Sequence, residues 1–131
     1  MQDGKTRQMR VVGNSPARTF LACMRAALVQ LSGDAAGSEF ELDRERVVVG
    51  RGSEADLSFD DAAMSREHAA FECGADGYSV VDLGSTNGVL VNDGSVEQAA
   101  LKHGDRIQLG DHVFQYVIEE KSRSPKTFSV S

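Results

Sequence analysis

Three short polar segments in the middle of the chain carry the side chains best suited to chemistry. They are Gly50-Arg51-Gly52, Ser65-Arg66-Glu67-His68 and Ser85-Thr86-Asn87-Gly88. Guanidinium groups form paired, charge-assisted hydrogen bonds with phosphate oxygens, and hydroxyl groups can donate to the oxygens that remain. An asparagine beside such a site can both donate to and accept from an extended peptide backbone. Together the segments offer the groups that a phosphate monoester on a peptide would need.

Catalytic and metal-binding interpretations of the same residues are weaker. Ser65 and His68 have the types of a nucleophile and its base, but no acidic residue is placed to orient the histidine. A metal set drawn from the histidines and one cysteine has spacings that match no common site; these residues are His68, His103, His112 and Cys73. We therefore expect binding without catalysis, with no catalytic residue, no metal and no cofactor.

Ordinary turns explain parts of the pattern equally well. A Gly-Arg pair after a strand is, taken alone, most often a turn with a surface arginine. Asn87-Gly88 is a strong hairpin-turn signal because both residues tolerate a positive φ, and the same pair could form a turn and contact a ligand.

The rest of the chain must supply the elements that position these segments. From Ala27 onward, apolar runs of about 3–6 residues are separated by turn residues at intervals of about 8–12, a pattern typical of a β-sandwich or barrel. No long helical pattern interrupts residues 27–121, which argues against α/β folds and their nucleotide-binding loops. We expect an all-β fold of two packed sheets with the polar segments in its loops.

A short helix is predicted just before this β-rich region, at about residues 15–25. Ser15 is a suitable N-cap and Pro16 suits the first helical position. Three apolar residues recur on one face of this helix, namely Phe20, Met24 and Ala27.

Composition and charge divide the chain of 131 residues, which is one domain's worth of sequence. We assign residues 1–26 to a basic N-terminal extension that is disordered or forms the short helix, residues 27–120 to the sandwich, and residues 121–131 to a polar tail. Residues 1–25 carry a net charge of +4 and residues 122–131 carry +2. The overall charge is −6, so residues 26–121 carry −12. A body this acidic repels nucleic-acid phosphates, so no nucleic-acid partner is expected.

Targeting and redox signals are weak. No stretch approaches the roughly 18 apolar residues that a membrane span needs, so no membrane span is expected. Cys23 and Cys73 have neither ligand-like nor oxidoreductase spacing, which favours reduced thiols in a cytoplasmic protein.

The order and spacing of the polar segments resemble the forkhead-associated (FHA) domain family. The succession is G-R at 50–51, S-x-x-H about 14 residues on and N-G about 20 residues after that, with His103-Gly104-Asp105-Arg106-Ile107 near the end. The resemblance covers residues 27–118, about 70% of the chain. It implies an 11-stranded β-sandwich that binds phosphothreonine peptides through loops at one end.

The resemblance also implies a role for each ligand-binding residue. Arg51 would bind the phosphate through its guanidinium, and Ser65 would donate its hydroxyl to the same phosphate. Arg66 would reach the phosphate or the peptide backbone, at a position that varies in the family. Thr86 would contact the phosphate or the residue that bears it, and Asn87 would hydrogen-bond the peptide main chain.

Three further residues would support the site. His68 would orient the serine loop from beneath, and Gly50 and Gly88 would shape the two neighbouring loops. The implied function is a small stand-alone, non-catalytic adaptor that recognises phosphothreonine on a protein partner, which would be a Ser/Thr kinase or its substrate. The alternative is a phosphate-independent scaffold or oligomerisation subunit that uses a face of the sandwich, although such a scaffold has no need of the polar cluster.

Overall fold

Short apolar runs separated by turns form the strands of two packed sheets. The computed structural model describes residues 15–121, which contain one helix and eleven strands. They are α1 (Pro16–Cys23), β1 (Met24–Gln30), β2 (Glu39–Leu42), β3 (Arg46–Gly50), β4 (Leu57–Ser58), β5 (Ala69–Gly74), β6 (Gly77–Asp82), β7 (Val89–Val91), β8 (Gly94–Val96), β9 (Gln98–Ala100), β10 (Arg106–Leu109) and β11 (His112–Glu120). The all-β, two-sheet sandwich expected from the sequence is confirmed.

The strands are shared between a six-stranded and a five-stranded sheet. The first has the order β2-β1-β11-β10-β7-β8, and the second has the order β4-β3-β5-β6-β9. Neighbouring strands within residues 15–121 run antiparallel, except for β3 and β4, which are parallel. The chain passes from the first sheet to the second between β8 and β9.

The antiparallel order of the second sheet brings three strand ends together at the same end of the sheet. Val49, near the end of β3, pairs with Ala69 at the start of β5, and Ala69 also pairs with Asp82 at the end of β6. The loops that leave β3, enter β5 and leave β6 therefore meet at one end of the sandwich. These are the loops that carry the three polar segments.

Two tyrosines anchor the core between the sheets. Tyr78 and Tyr116 are buried, and the Tyr116 hydroxyl accepts the backbone N–H of Tyr78 at 3.0 Å. The Tyr78 hydroxyl lies 2.7 Å from the Arg44 carbonyl and donates to it. Burial raises the pKa of both phenols, so both stay protonated and can act as donors. The largest apolar side chains around them are Phe71, Phe114, Leu28, Leu42, Met64, Ile107 and Leu109.

Helix α1 begins as the sequence predicts but ends earlier. The Ser15 hydroxyl accepts the N–H of Arg18 at 3.2 Å, and Phe20 packs edge-on against Tyr78 in the core. Met24 and Ala27 are not helical, because strand β1 begins at Met24 and pairs with β11 from that residue onward. The first strand thus starts before the boundary proposed at residue 27, and the division into three segments stays a prediction whose outer parts, residues 1–14 and 122–131, lie outside the described residues. Within residues 15–121 no helix is long and apolar enough to cross a bilayer.

Candidate functional site

The three polar segments are joined by backbone hydrogen bonds at the end of the second sheet. The N–H of Arg51 donates to the Ser65 carbonyl at 2.9 Å, and the N–H of Gly52 donates to the Arg66 carbonyl at 3.0 Å. The N–H of Thr86 donates to the Ser65 hydroxyl oxygen at 3.0 Å. Every residue that the sequence singled out as a ligand contact therefore lies on loops that touch one another.

Asn87 connects the third segment to the second. Its carboxamide nitrogen donates to the Ala63 carbonyl at 2.7 Å, which fixes the direction of the side chain. Gly88 adopts φ +81°, whereas Asn87 does not have a positive φ. The pair does not form a hairpin, because β6 and β7 belong to different sheets. The hairpin turn with two positive-φ residues lies instead at Asn92 and Asp93, between β7 and β8.

His68 lies beneath the loops and bridges two of them. Its side chain is fully buried, and its Nδ1 accepts the backbone N–H of Ser65 at 3.0 Å. The other ring nitrogen, Nε2, lies 2.7 Å from the Gly88 carbonyl. A carbonyl can only accept, so Nε2 carries the hydrogen and the imidazole is held as its neutral Nε2–H form. The ring thus fixes the position of the loop that carries Ser65 relative to the third polar segment, which ends at Gly88.

Gly50 is required by the close approach of the serine loop. A Cβ at this position would lie 2.0 Å from the Arg66 carbonyl oxygen and 2.9 Å from that of Ser65. Any side chain here would push the serine loop away from β3. The bonds that Arg51 and Gly52 make to that loop depend on this approach.

Arg51 and Arg66 are the two arginines on the loops that carry the first two polar segments. Arg51 donates from Nε to the Met64 carbonyl at 3.1 Å. Both residues are exposed, and within residues 15–121 neither forms an ion pair with a carboxylate. Two exposed arginines on loops that also carry a serine hydroxyl have the chemistry to bind an anion, on a body that is otherwise acidic.

Two residues that the sequence argument gave no role hold the third segment. The Asp82 carboxylate accepts the N–H of Ser85 at 2.8 Å, and the Ser85 hydroxyl accepts the N–H of Gly88 at 2.9 Å. Both bonds run from a short polar side chain to the backbone three residues on, a pattern typical of turns. The spacing Asp82, Ser85, Gly88 is therefore a sequence signal that could have identified them.

We expect Asp82→Asn to destabilise the protein at neutral pH and to have less effect in acid. Burial raises the pKa of Asp82, but hydrogen bonds from Ser85 and from the Gly84 backbone outweigh it, so the pKa is lowered on folding. A lowered folded-state pKa gives stability that is fully present above the unfolded value of about 3.9 and is lost as the pH falls through the folded value. Replacing the charged acceptor by a neutral one costs about 1 kcal/mol at pH 7.

Urea unfolding of both proteins at pH 7 and pH 3 measures this effect. The difference between wild type and Asp82→Asn should narrow at pH 3, which lies below the unfolded-state pKa of about 3.9, so the stability from the carboxylate is being lost. If the two proteins differed in stability by the same amount at both pH values, the lowered pKa of Asp82 would be contradicted.

The arrangement does not form a nucleophile and base pair. Both ring nitrogens of His68 are occupied by backbone groups, and Nδ1 faces the Ser65 amide rather than its hydroxyl. Within the described range of 15–121, no group of three or more His, Cys, Asp or Glu residues is placed to hold a metal ion. Cys23 and Cys73 are both free thiols.

Comparison with known proteins gives these features a context. Residues 30–120 match the family model described as the cytoplasmic domain of an inner membrane component of T3SS. The chain is similar to the oxoglutarate dehydrogenase inhibitor of Corynebacterium jeikeium, with 45% identity over 85 residues, which cover 65% of this chain and 59% of that protein. It is also similar to the glycogen accumulation regulator GarA of Mycolicibacterium smegmatis, with 39% identity over 97 residues, which cover 74% and 61%. The chain spans about three fifths of the length of these two relatives.

The fold is also similar to those of solved structures. A protein studied for phosphothreonine-dependent FHA domain interactions superposes with a TM-score of 0.62 and 28% sequence identity. The match covers 72% of this chain and 95% of that chain. The similarity thus extends over nearly the whole of a solved domain of this type.

Proposed function

Because this chain belongs to the forkhead-associated (FHA) domain family, we propose that it is a non-catalytic adaptor that binds phosphothreonine on a protein partner in Ser/Thr kinase signalling. One observation carries the proposal. The arginine, serine and asparagine segments, which are far apart in the chain, meet through shared hydrogen bonds at one end of the sandwich. A phosphothreonine peptide is the ligand whose groups match that cluster.

The hydrogen bonds of the free site leave the ligand-binding groups ready for use. The Ser65 oxygen accepts from the Thr86 N–H, so its own hydrogen is left to donate to a phosphate oxygen. Arg51 is held through Nε, which leaves its terminal nitrogens for paired bonds to the phosphate. A site arranged before binding loses less entropy when the ligand arrives.

The remaining residues fit contacts around the phosphate. Arg66 follows Ser65 and would reach the phosphate or the peptide backbone, and Thr86 would contact the phosphorylated residue. Asn87 would hold the peptide main chain with the part of its carboxamide that does not bind Ala63. Two or three charge-assisted bonds of about 1.5–3 kcal/mol each, together with a few backbone bonds, offset the entropy of fixing a short peptide. We expect micromolar affinity, about −8 kcal/mol.

The partner is a Ser/Thr kinase or one of its substrates, and we place the adaptor in the cytoplasm with it. The net charge of −12 on residues 26–121 favours phosphopeptides whose flanking residues are basic. The same charge disfavours nucleic acid.

The identity of 45% to an oxoglutarate dehydrogenase inhibitor favours a second, narrower candidate. In this version the chain inhibits 2-oxoglutarate dehydrogenase, as the name of that relative says of that protein. Addition of the purified chain to 2-oxoglutarate dehydrogenase would lower the rate of NADH formation. An unchanged rate at a large excess of the chain would remove this candidate and leave the phosphothreonine proposal untouched.

Binding to degenerate peptide libraries tests the main proposal. Phosphothreonine, phosphoserine and unphosphorylated libraries are compared under the same conditions. Binding to the phosphothreonine library alone is the expected result, and it also gives the preferred flanking residues. Equal binding to all three libraries, or to none, would favour the phosphate-independent scaffold instead.

A further inference from the structure

A buried carboxylate lies directly below the loop that carries Ser65. The side chain of Asp61 is only 2% exposed. Its Oδ1 accepts the N–H of Ala63 at 2.8 Å, and its Oδ2 accepts the N–H of Asp111 at 2.8 Å and the Nδ1–H of His112 at 2.7 Å. A buried carboxylate is tolerated only when such donors satisfy it, so three donors from two loops have been gathered around this one group.

The two loops are the recognition loop, residues 59–66, and the turn between β10 and β11 at Gly110–His112. Gly110 has φ +62°, and a Cβ there would lie 2.8 Å from the Asp61 Oδ2 and 3.0 Å from the backbone of Ala63. The turn therefore approaches the recognition loop as closely as a residue without a side chain allows. This contact joins the recognition loop to the β10–β11 turn, whereas His68 joins it to Gly88 in the third polar segment.

The residues that follow Asp61 hold two of the expected ligand contacts. The Ala63 carbonyl accepts the Asn87 carboxamide at 2.7 Å, and the Met64 carbonyl accepts the Arg51 Nε at 3.1 Å. Asp61 itself closes the local turn, because its own carbonyl accepts the N–H of Met64 at 3.0 Å. The directions of both side chains thus depend on where Asp61 places two consecutive carbonyls.

His112 is held in place by aromatic neighbours as well as by the carboxylate. Its ring lies nearly parallel to Phe114, with centroids 5.9 Å apart, and it packs against Phe59 at 4.9 Å. Burial raises the pKa of Asp61, but the hydrogen bonds from His112 and from two backbone amides outweigh it, so the pKa is lowered and the carboxylate stays charged near neutral pH. Asp61 therefore accepts a hydrogen bond from His112, and the His112 ring is packed between two aromatic rings.

We propose that Asp61 and His112 are positioning residues for phosphopeptide binding, which hold the Ala63 and Met64 carbonyls where they orient Asn87 and Arg51. Neither residue touches the ligand. The inference rests on the proposed function, because it concerns the same site. It adds a second support for the recognition loop, at the β10–β11 turn, besides the one that His68 provides.

Binding measurements with four variants test this role. Asp61→Asn removes the charge, and His112→Phe keeps an aromatic ring between its neighbours but removes the donor. His112→Asn keeps a donor near the position of Nδ1, and Asp76→Asn is a matched control at an exposed carboxylate in the β5–β6 turn. Affinity for a fluorescent phosphothreonine peptide selected from the library is measured well below each variant's unfolding temperature.

The first two variants should bind roughly tenfold more weakly, since altered positioning typically changes coupling by such amounts. His112→Asn should recover most of the affinity, and Asp76→Asn should bind like the wild type. Wild-type affinity in folded Asp61→Asn and His112→Phe would overturn the proposal. Recovery of affinity in His112→Asn would show that His112→Phe binds weakly because the hydrogen bond is lost, and not because packing is lost in general.

NMR of the free proteins keeps the inference separate from the proposed function. The side-chain ¹⁵N signals of Asn87 and of the Arg51 Nε should move in Asp61→Asn and His112→Phe and stay in place in Asp76→Asn. Unmoved signals would overturn the positioning role whether or not peptide binds. If the wild type binds no phosphopeptide, the proposed function fails, and moved signals would still support Asp61 and His112 as the residues that position Arg51 and Asn87.

Discussion

Arg51→Ala should remove most of the phosphate-dependent affinity while leaving the fold intact. The guanidinium is exposed at the end of β3 and makes one hydrogen bond, from Nε to Met64, within residues 15–121. Loss of two charge-assisted bonds to phosphate, at about 1.5–3 kcal/mol each, corresponds to a loss of affinity of roughly 100-fold or more. Titration of a phosphothreonine peptide by calorimetry measures the affinity, and a thermal melt should show a shift of only a few degrees.

Arg46→Ala is the matched control for this experiment. Arg46 lies at the other end of the same strand, where it pairs with Glu72 at 3.3 Å in an exposed position. Exposed pairs of this kind contribute less than about 1 kcal/mol, so this variant should bind and fold like the wild type. If Arg51→Ala kept its affinity, the phosphate would have to be bound elsewhere, and Arg66 would become the first residue to test.

His68→Ala should destabilise the whole domain. The imidazole is fully buried and accepts from the Ser65 N–H while it donates to the Gly88 carbonyl. Removal leaves two buried backbone groups without a partner, at about 1–3 kcal/mol each, and a cavity beneath the loops. We expect a loss of about 3–5 kcal/mol in the free energy of unfolding, measured by urea denaturation, which is a large part of the stability of a typical small domain.

His103→Ala separates this effect from the loss of any histidine. His103 is exposed and accepts one hydrogen bond at Nδ1, from the Ile118 N–H at 3.0 Å. Its replacement should cost less than about 1 kcal/mol. Similar stability losses in the two variants would contradict the bridging role of His68. A folded His68→Ala protein should also bind phosphopeptide more weakly, because the serine and asparagine loops are no longer held together.

The local sequence determined the elements and the loops that carry the polar groups. Alternating apolar runs predicted the long strands, and Ser15 followed by Pro16 predicted where the helix begins, because caps and side-chain alternation depend on neighbouring residues alone. The resemblance to FHA domains placed Arg51, Ser65 and Asn87 together before any fold was known. The fold brings their loops into contact, while their contacts with a phosphopeptide stay predictions.

Short strands were harder to predict than long ones. Gln98–Ala100 has too few residues to show an alternating pattern, and it becomes a strand because it pairs with β6. Met24 belongs to β1 rather than to the helix for a similar reason, since its partner, Glu120, lies at the far end of the described chain. Strand pairing between distant segments overrides weak local preference.

The buried carboxylate that supports the recognition loop was identified only by the tertiary structure. Asp60 and Asp61 are adjacent and identical in type, yet Asp60 is exposed and Asp61 is buried, with two of its three donors about fifty residues away. His103 and His112 likewise carry no local signal that separates them, although His103 accepts one backbone N–H and His112 donates to the buried Asp61 carboxylate. Local patterns report neighbours one or two turns away, whereas a buried hydrogen bond depends on which distant backbone groups the packed sheets leave unpaired.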